Sequence, residues 1–474
     1  MSNDEEHKSH KEMETGGPEA LRNGEIEPYD LRAAEHDAVF GDIHEDGPNY
    51  RNVGWLGTAA LMVKSQIGLG VLSLPAVFDT FGMIPGVILL LTVGIITTWS
   101  DYIVGVFKLR HREIYSVADA GGVMFGRIGN EFYGAAYIIF FIFVGASGLL
   151  SVSISLNALS HHAICTAIFV VVAAIMVFIP TSIRTLDRIS WLAWVGSTSI
   201  IVAILTVTIA VGLQERPSSA PQEGVWQSDY KLVASPTFND AISAMGSIVF
   251  AWAGTPTFFQ ISSEMRNPAD FNKSLILCQS IITVIYVVVG VVVYYYCGSY
   301  VASPALGSAG PTVKRVAYGL ALPGLLASAI LLLHLPAKQV FVRALRGSKH
   351  LTSNTPIHWA TWLGSTFATV LAAYLVASGI PVFGQLVSLI GALLGTLLSF
   401  QTMGFMWLHD NWSEGKQNPT MKWWLMVAWS IFVIVSGSFL MVAGTYGSIQ
   451  NIVDSYKVSG GSAAWSCADN SNST

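Results

Sequence analysis

The stretch Lys64-Ser65-Gln66-Ile67-Gly68-Leu69-Gly70, with Pro75 soon after, interrupts an apolar run long enough to cross a membrane. A second interruption, Phe250-Ala251-Trp252-Ala253-Gly254-Thr255-Pro256, breaks another such run. Inside a bilayer an unwound backbone leaves N–H and C=O groups unpaired, at several kcal/mol each, unless protein, ions or water satisfy them. Paired interruptions in corresponding spans of two halves point to the binding site of a secondary transporter.

The rest of the chain supports a membrane setting. Only 12% of the 474 residues are charged, against about 25% in a soluble domain. A span needs about 20 apolar residues. Eleven candidates occur, at 54–77, 82–107, 131–156, 163–180, 189–213, 240–262, 274–299, 316–336, 357–378, 381–407 and 422–447. A soluble helical protein would keep a polar face on its helices. Spans three, seven and ten carry almost none.

Residues 1–50 hold 14 Asp or Glu against 4 Lys or Arg and no sustained apolar period. That composition predicts a disordered acidic tail. No basic stretch leads into an apolar core, so no cleavable signal is expected. Taking this tail's −10 from the net −5 leaves about +5 for the rest, which gives no reason to expect nucleic acid as a partner. With the N-terminus inside, the inner loops carry fourteen Lys or Arg, among them Lys108, Arg110, Arg112, Arg266 and Lys338. The outer segments carry five, namely Arg216, Lys231, Lys314, Arg315 and Lys457. This bias places the N-terminus in the cytosol and, after an odd number of spans, the C-terminus outside. The long outer segment 214–239 is expected to be irregular.

Four cysteines, Cys165, Cys278, Cys297 and Cys467, form no metal spacing. Cys165 and Cys278 read as apolar fillers inside helices. Cys297 and Cys467 both fall near the outer side, where they could bridge.

Spans one to five and six to ten each number five. The second half therefore enters the membrane from the opposite side, and the broken spans fall first in each half. The expected fold is all-α: eleven transmembrane helices in a 5+5 inverted repeat, with helices one and six broken and one helix extra. The membrane domain runs 51–450, between a cytosolic tail at 1–50 and a short non-cytosolic tail at 451–474.

Gly68 and Gly70 can take backbone angles that β-branched residues resist. The helix opening after them offers free N–H donors and a positive dipole end, which suits a carboxylate. Gly254 and Pro256 stop one half-helix and start the next. The carbonyls freed near Phe250, Ala251 and Trp252 suit an ammonium group. Donors in one break and acceptors in the other imply a zwitterion, and an α-amino acid fits. Ser65, Gln66, Gly68, Leu69, Gly70, Phe250, Ala251 and Gly254 are the candidate substrate contacts, with Phe140 and Trp252 adding side-chain walls. A pocket with no buried Asp or Arg favours neutral substrates.

These residues, together with Ser263-Glu264-Met265-Arg266-Asn267-Pro268-Ala269-Asp270-Phe271 closing span six, resemble the amino acid/auxin permease family over about 50–450. The whole is most similar to the fungal neutral amino acid permeases. The resemblance implies a LeuT-like fold, substrate held between spans one, three, six and eight, and uptake driven by protons or sodium. Sodium-coupled members have an Asn four residues before the first Gly of the span-one break, and a Thr two before the Pro of span eight. Here those positions hold Lys64 and His334, neither a sensible sodium ligand.

Lys64 lies nine residues after Trp55, about 14 Å along a helix and so close to mid-membrane. An intramembrane Lys costs about 2.5–3.5 kcal/mol on insertion scales, which makes a functional role the default. Both side chains can exchange protons. Lys64 and His334 are therefore the expected proton-coupling pair, close enough to relay a proton, with no metal and no cofactor beyond the proton gradient. Snorkelling for Lys64 and simple packing for His334 are the competing explanations. Asp101, the other buried charge, has Lys108 as its expected partner.

The expected activity is symport of neutral, bulky aliphatic and aromatic L-amino acids with protons, across the plasma membrane. A non-transporting receptor with the same pocket, or a vacuolar or export-direction transporter, remains open. An intramembrane enzyme would need acids or metal ligands at one depth, and neither GxGD nor HExxH is present.

Overall fold

The structure, a computed structural model, describes residues 36–37, 41–42, 53–183, 187–217, 220–221, 223–345, 348, 350, 355–458 and 464–471. Residues 1–49 form a separate unit, of which a two-residue antiparallel ladder, His36–Asp37 against Gly41–Asp42, is described. The expectation of disorder for 1–50 otherwise lies outside the described residues.

From residue 53 onward the described chain is almost wholly helical. The first apolar run splits into α1 (Trp55–Gln66) and α2 (Leu74–Phe81). There follow α3 (Met83–Arg110), α4 (Val117–Ser160), α5 (Thr166–Thr181) and α6 (Asp187–Leu213). The sixth run splits into α7 (Phe238–Trp252) and α8 (Thr255–Ser263). Then come α9 (Phe271–Cys297), α10 (Pro311–Leu345) and α11 (Pro356–Gly379). The tenth run is α12 (Phe383–Ile390), two π-helical segments (Gly391–Gly395 and Leu397–Gln401), and α13 (Thr402–Gln417). The last helix is α14 (Met421–Val458).

Among the described residues nine helical stretches are long and apolar enough to cross a membrane, counting α7 with α8 as one. Two of the eleven expected runs differ from that pattern: α5 has 16 residues, and the first run is in pieces of 12 and 8.

Local sequence sets several boundaries. Ser116 opens α4 with a reciprocal cap: its hydroxyl faces the Asp119 N–H, and the Asp119 carboxylate accepts from the Ser116 N–H at 2.9 Å. Such a cap satisfies two of the free donors at a helix start. Gly126 (φ 65°) lets an amphipathic first turn bend into the long apolar part of α4. Pro75 and Pro256 each stand in the first turn of a second half-helix, where a missing N–H costs nothing.

Packing separates two groups of helices. α1, α2, α3, α7, α8 and α9 pack on one another, and α4, α5, α10 and α11 form a second set. α6 lies against α10 and α9, and the run α12–α13 lies against α7, α4 and α3. The inverted repeat requires this sorting, because spans one and two pair with six and seven, and three and four with eight and nine.

The motif after α8 has a structural task. Val53 N–H donates to the Glu264 carbonyl at 3.3 Å, and Arg266 N–H donates to the Val53 carbonyl at 2.9 Å. The start of α1 is thereby stapled to the end of α8. On the far side, the segment before α7 has no helix but is fixed. Asp229 accepts from the Ser299 hydroxyl at 2.6 Å and its N–H at 2.8 Å, and Ala234 N–H donates to the Phe81 carbonyl at 3.0 Å. Although partial burial opposes it, the Ser299 bonds hold the Asp229 carboxyl below its usual range.

The cysteine pairing differs from the expectation. Cys165 is bonded to Cys467, while Cys297 and Cys278 are free and buried. Cys165 is the residue before α5, at the far end of the bundle, so it is not a filler inside a helix. The C-terminal segment reaches it there, with Thr166 donating to the Ala468 carbonyl at 2.6 Å and Asn157 to the Asn470 side chain at 2.7 Å. Cys297 packs instead beside the Ser308 carbonyl. Denatured without reductant, the chain should take up a maleimide at two cysteines, and at four after reduction. Labelling at all four without reduction would contradict the Cys165–Cys467 link.

Candidate functional site

The first break spans Ile67 to Ser73. α1 closes with the Ile67 N–H donating to the Val63 carbonyl at 2.7 Å, and the Ser73 hydroxyl donates to the Gly70 carbonyl at 2.8 Å. The second break is shorter. Ala253 N–H donates to the Phe250 carbonyl, Gly254 N–H to the Trp252 carbonyl, and the Thr257 hydroxyl to the Gly254 carbonyl at 2.7 Å.

Between the breaks lies a cavity of about 250 Å³, at the small end of ligand pockets and sized for one small solute. Nine of the ten expected substrate contacts border it: Ser65, Gln66, Gly68, Leu69, Gly70, Phe140, Phe250, Ala251 and Gly254. Lys64 borders it as well. Its other walls come from Phe141 and Val144 of α4, Thr257 and Ile261 of α8, and Ser328, Leu331, Leu332 and Leu335 of α10. Spans one, three, six and eight therefore enclose it, as the resemblance implies. The cavity follows α1 back through Lys64 to Leu61, toward the side where α1 begins. On the other side the Leu72 carbonyl accepts from the Ala305 N–H at 2.8 Å.

Trp252 does not face the cavity. One position beyond Ala251, it turns toward α3 and α9, packing on Gly94 and edge-on to Tyr286 with ring centroids 5.2 Å apart. Tyr286 is the residue the sequence did not single out. Its hydroxyl lies 2.9 Å from the Gln66 carbonyl and 2.7 Å from the Ala251 carbonyl, so it touches both breaks. A tyrosine has one proton to donate. One of the two carbonyls keeps its capacity, and the expectation that all acceptors in the second break stand free is not met.

Gln66 is the polar side chain best placed for a ligand. It is 4% exposed, and neither its amide nitrogen nor its oxygen has a partner in the structure. It packs beside Gly254, so one side chain bridges the two interruptions. Burying an amide without partners costs a few kcal/mol, and a zwitterion would supply both a donor and an acceptor.

The two glycines act through space rather than through unusual angles. Neither takes a positive φ. A Cβ on Gly70 would stand 2.6 Å from the Ala251 Cα, whereas a Cβ on Gly68 meets nothing within 4 Å and opens on the cavity.

Lys64 also borders a second cavity of about 490 Å³, which runs between α1, α6 and α9 to Glu264. A smaller space sets it among Ser197 of α6 and Ser328 of α10. No hydrogen bond or ion pair joins Lys64 to any described residue. His334 does not join it. It is fully buried on another face of α10, where its Nδ1–H donates to the Thr181 carbonyl at 3.2 Å and its ring packs edge-on to Trp362. The expected relay pair is thus split, because Ser328, Leu331, Leu332 and Leu335 are the α10 residues that border the cavity. Asp101 also departs from expectation. It accepts from the Gln279 amide at 2.6 Å, tying α3 to α9. Lys108, two turns further on, donates to the Arg112 and Ile114 carbonyls and finishes the helix instead.

Two interrupted helices around a central cavity in an inverted repeat define a multi-pass membrane transporter of LeuT-like architecture. Known proteins agree. Residues 51–450 match the family described as transmembrane amino acid transporter protein, and the chain belongs to that family. It is 32% identical over 453 residues to a transmembrane transporter of Fusarium pseudograminearum, covering 95% of this chain and 94% of that one. It is 32% identical over 433 residues to the N amino acid transport system protein of Neurospora crassa, covering 90% and 91%. The solved structure of Mhp1 in its inward-facing conformation superposes with a TM-score of 0.55 at 12% identity, covering 88% of this chain and 93% of that one. The protein is an amino acid transporter of the membrane, not an enzyme.

Gly70→Val should fail to reach a folded state, since overpacking against backbone costs on the order of 1–3 kcal/mol or more. Gly68→Ala should express normally and bind substrate severalfold more weakly. Size-exclusion profiles with radioligand binding check both, and equal behaviour of the two variants would contradict the assignment.

Proposed function

We propose that the protein takes up neutral, bulky aliphatic and aromatic L-amino acids together with protons, by alternating access across the plasma membrane. The observation that carries this reading is Lys64. Among the described residues it is the one charged residue bordering the cavity, and it stands where span one meets spans five and eight. While protonated, its ammonium would find acceptor oxygens at Ser197 and Ser328 and hold α1 against α6 and α10. Loss of the proton would release that tie and let the groups of helices move. The remaining walls are mostly apolar and, among the described residues, carry no other charge, which favours a neutral side chain. The two breaks and Gln66 would take the zwitterionic head.

Orientation rests on two supports. Disulfides persist in oxidising compartments and are rare in the cytosol. The Cys165–Cys467 link lies on the side opposite the start of α1, which argues that the far side is extracytosolic. Lys and Arg gather on the α1 side, as the positive-inside rule expects. The cavity then opens toward the cytosol.

The test is uptake of labelled amino acids by cells or proteoliposomes, with pH and sodium varied independently, for wild type and Lys64→Met. Wild-type uptake of leucine or phenylalanine should rise with outside acidity and ignore sodium, with arginine and glutamate competing weakly. Lys64→Met should exchange substrate yet fail to concentrate it. Sodium-stimulated, pH-indifferent uptake, or a variant that still accumulates substrate, would place coupling elsewhere.

A further inference from the structure

We infer that His111, His409 and Asp410 form a binding site for a divalent transition-metal ion of the zinc class, clipping the end of α3 to α13. Their ligand atoms lie within 4.8 Å of one another. His111 Nε2 stands 2.9 Å from Asp410 Oδ1, and His409 Nδ1 stands 3.3 Å from the same oxygen. Ligands about 2.0–2.1 Å from a tetrahedral zinc are roughly 3.3–3.4 Å apart, so small shifts would seat an ion between them.

The outer partners are those a metal site uses to orient its ligands. Asp410 Oδ2, the oxygen not shared by the imidazoles, faces the Arg110 guanidinium at 3.5 Å. His111 Nδ1, its remaining nitrogen, faces Glu113 at 3.9 Å. Phe107 forms an apolar wall, its ring 4.4 Å from His111 and 6.4 Å from His409. The Asp410 side chain is 7% exposed, while those of His111 and His409 are 24% and 38% exposed, which leaves a path from solvent.

Donor chemistry selects the class of ion. Magnesium and calcium want oxygen ligands, whereas two imidazoles and one carboxylate suit zinc and its neighbours. Three protein ligands leave a fourth position for water. Protons compete for the same site, because a charged imidazole cannot coordinate.

The site is separate from the central cavity and joins two helices that have different further neighbours. α3 packs on the broken helix α8 and on α9, whereas α13 packs on α14 as well as on α3. A bound ion would therefore restrain relative movement of these helices.

The full chain, purified without a polyhistidine tag, should be titrated with zinc chloride by calorimetry and with cobalt chloride by visible absorption. One equivalent should bind in the micromolar range or tighter, with tetrahedral cobalt bands. His409→Ala and Asp410→Asn should each weaken it at least tenfold. His161→Ala, which removes an exposed histidine elsewhere, should not. No wild-type binding in the micromolar range, or binding unchanged in His409→Ala and Asp410→Asn, would overturn the proposal.

Discussion

Everything in the centre of this molecule depends on how two interrupted helices are kept interrupted. The Tyr286 hydroxyl stands between the last carbonyl of α1, at Gln66, and the carbonyl of Ala251 near the end of α7, with one proton to donate to either. In an apolar interior such carbonyls would otherwise draw the helices back into continuity or leave acceptors unpaired. Gly70 allows the backbone at the first break to rest against Ala251. Together they bring two non-adjacent breaks into one place, and the unpartnered amide of Gln66 ends up between them. The cavity is a consequence of that junction.

A second constraint is the separation of charge. Lys64 and Asp101 both lie within the helical bundle, yet the structure pairs neither with an opposite charge. Asp101 is held by Gln279 on the α9 side, while Lys64 borders a small space shared with Ser197 of α6 and Ser328 of α10. A buried charge without a partner is expensive and is seldom kept without use. Lys64 borders two cavities, whereas Asp101 is fully buried and ties α3 to α9.

The breaks were legible because glycine and proline act locally. Pro75, Pro256 and Gly254 mark the ends of half-helices within a residue or two of where the structure has them, and Gly70 falls inside the first break. Nine of the ten residues expected as contacts border the cavity, since residues flanking a break must line whatever the break encloses. What the sequence hid was direction around a helix. In a uniformly apolar span no polar face shows which side meets the core. Trp252 and His334 therefore looked like pocket residues although they pack elsewhere, and Tyr286 looked like any aromatic in span seven. The cysteine pairing failed for a related reason. Cys165 adjoins an apolar run and so resembled a core residue, but it sits one residue outside the helix, on the face the C-terminal segment crosses.

The central claim is that the solute binds between the two breaks. Ser65 stands exposed on the cavity at the end of α1, while the free cysteines Cys278 and Cys297 are buried. A Ser65→Cys variant should react with a membrane-permeant maleimide, and saturating leucine or phenylalanine should slow that reaction severalfold while arginine does not. Unchanged labelling in the presence of a transported amino acid would mean that the substrate binds away from the junction of the broken helices.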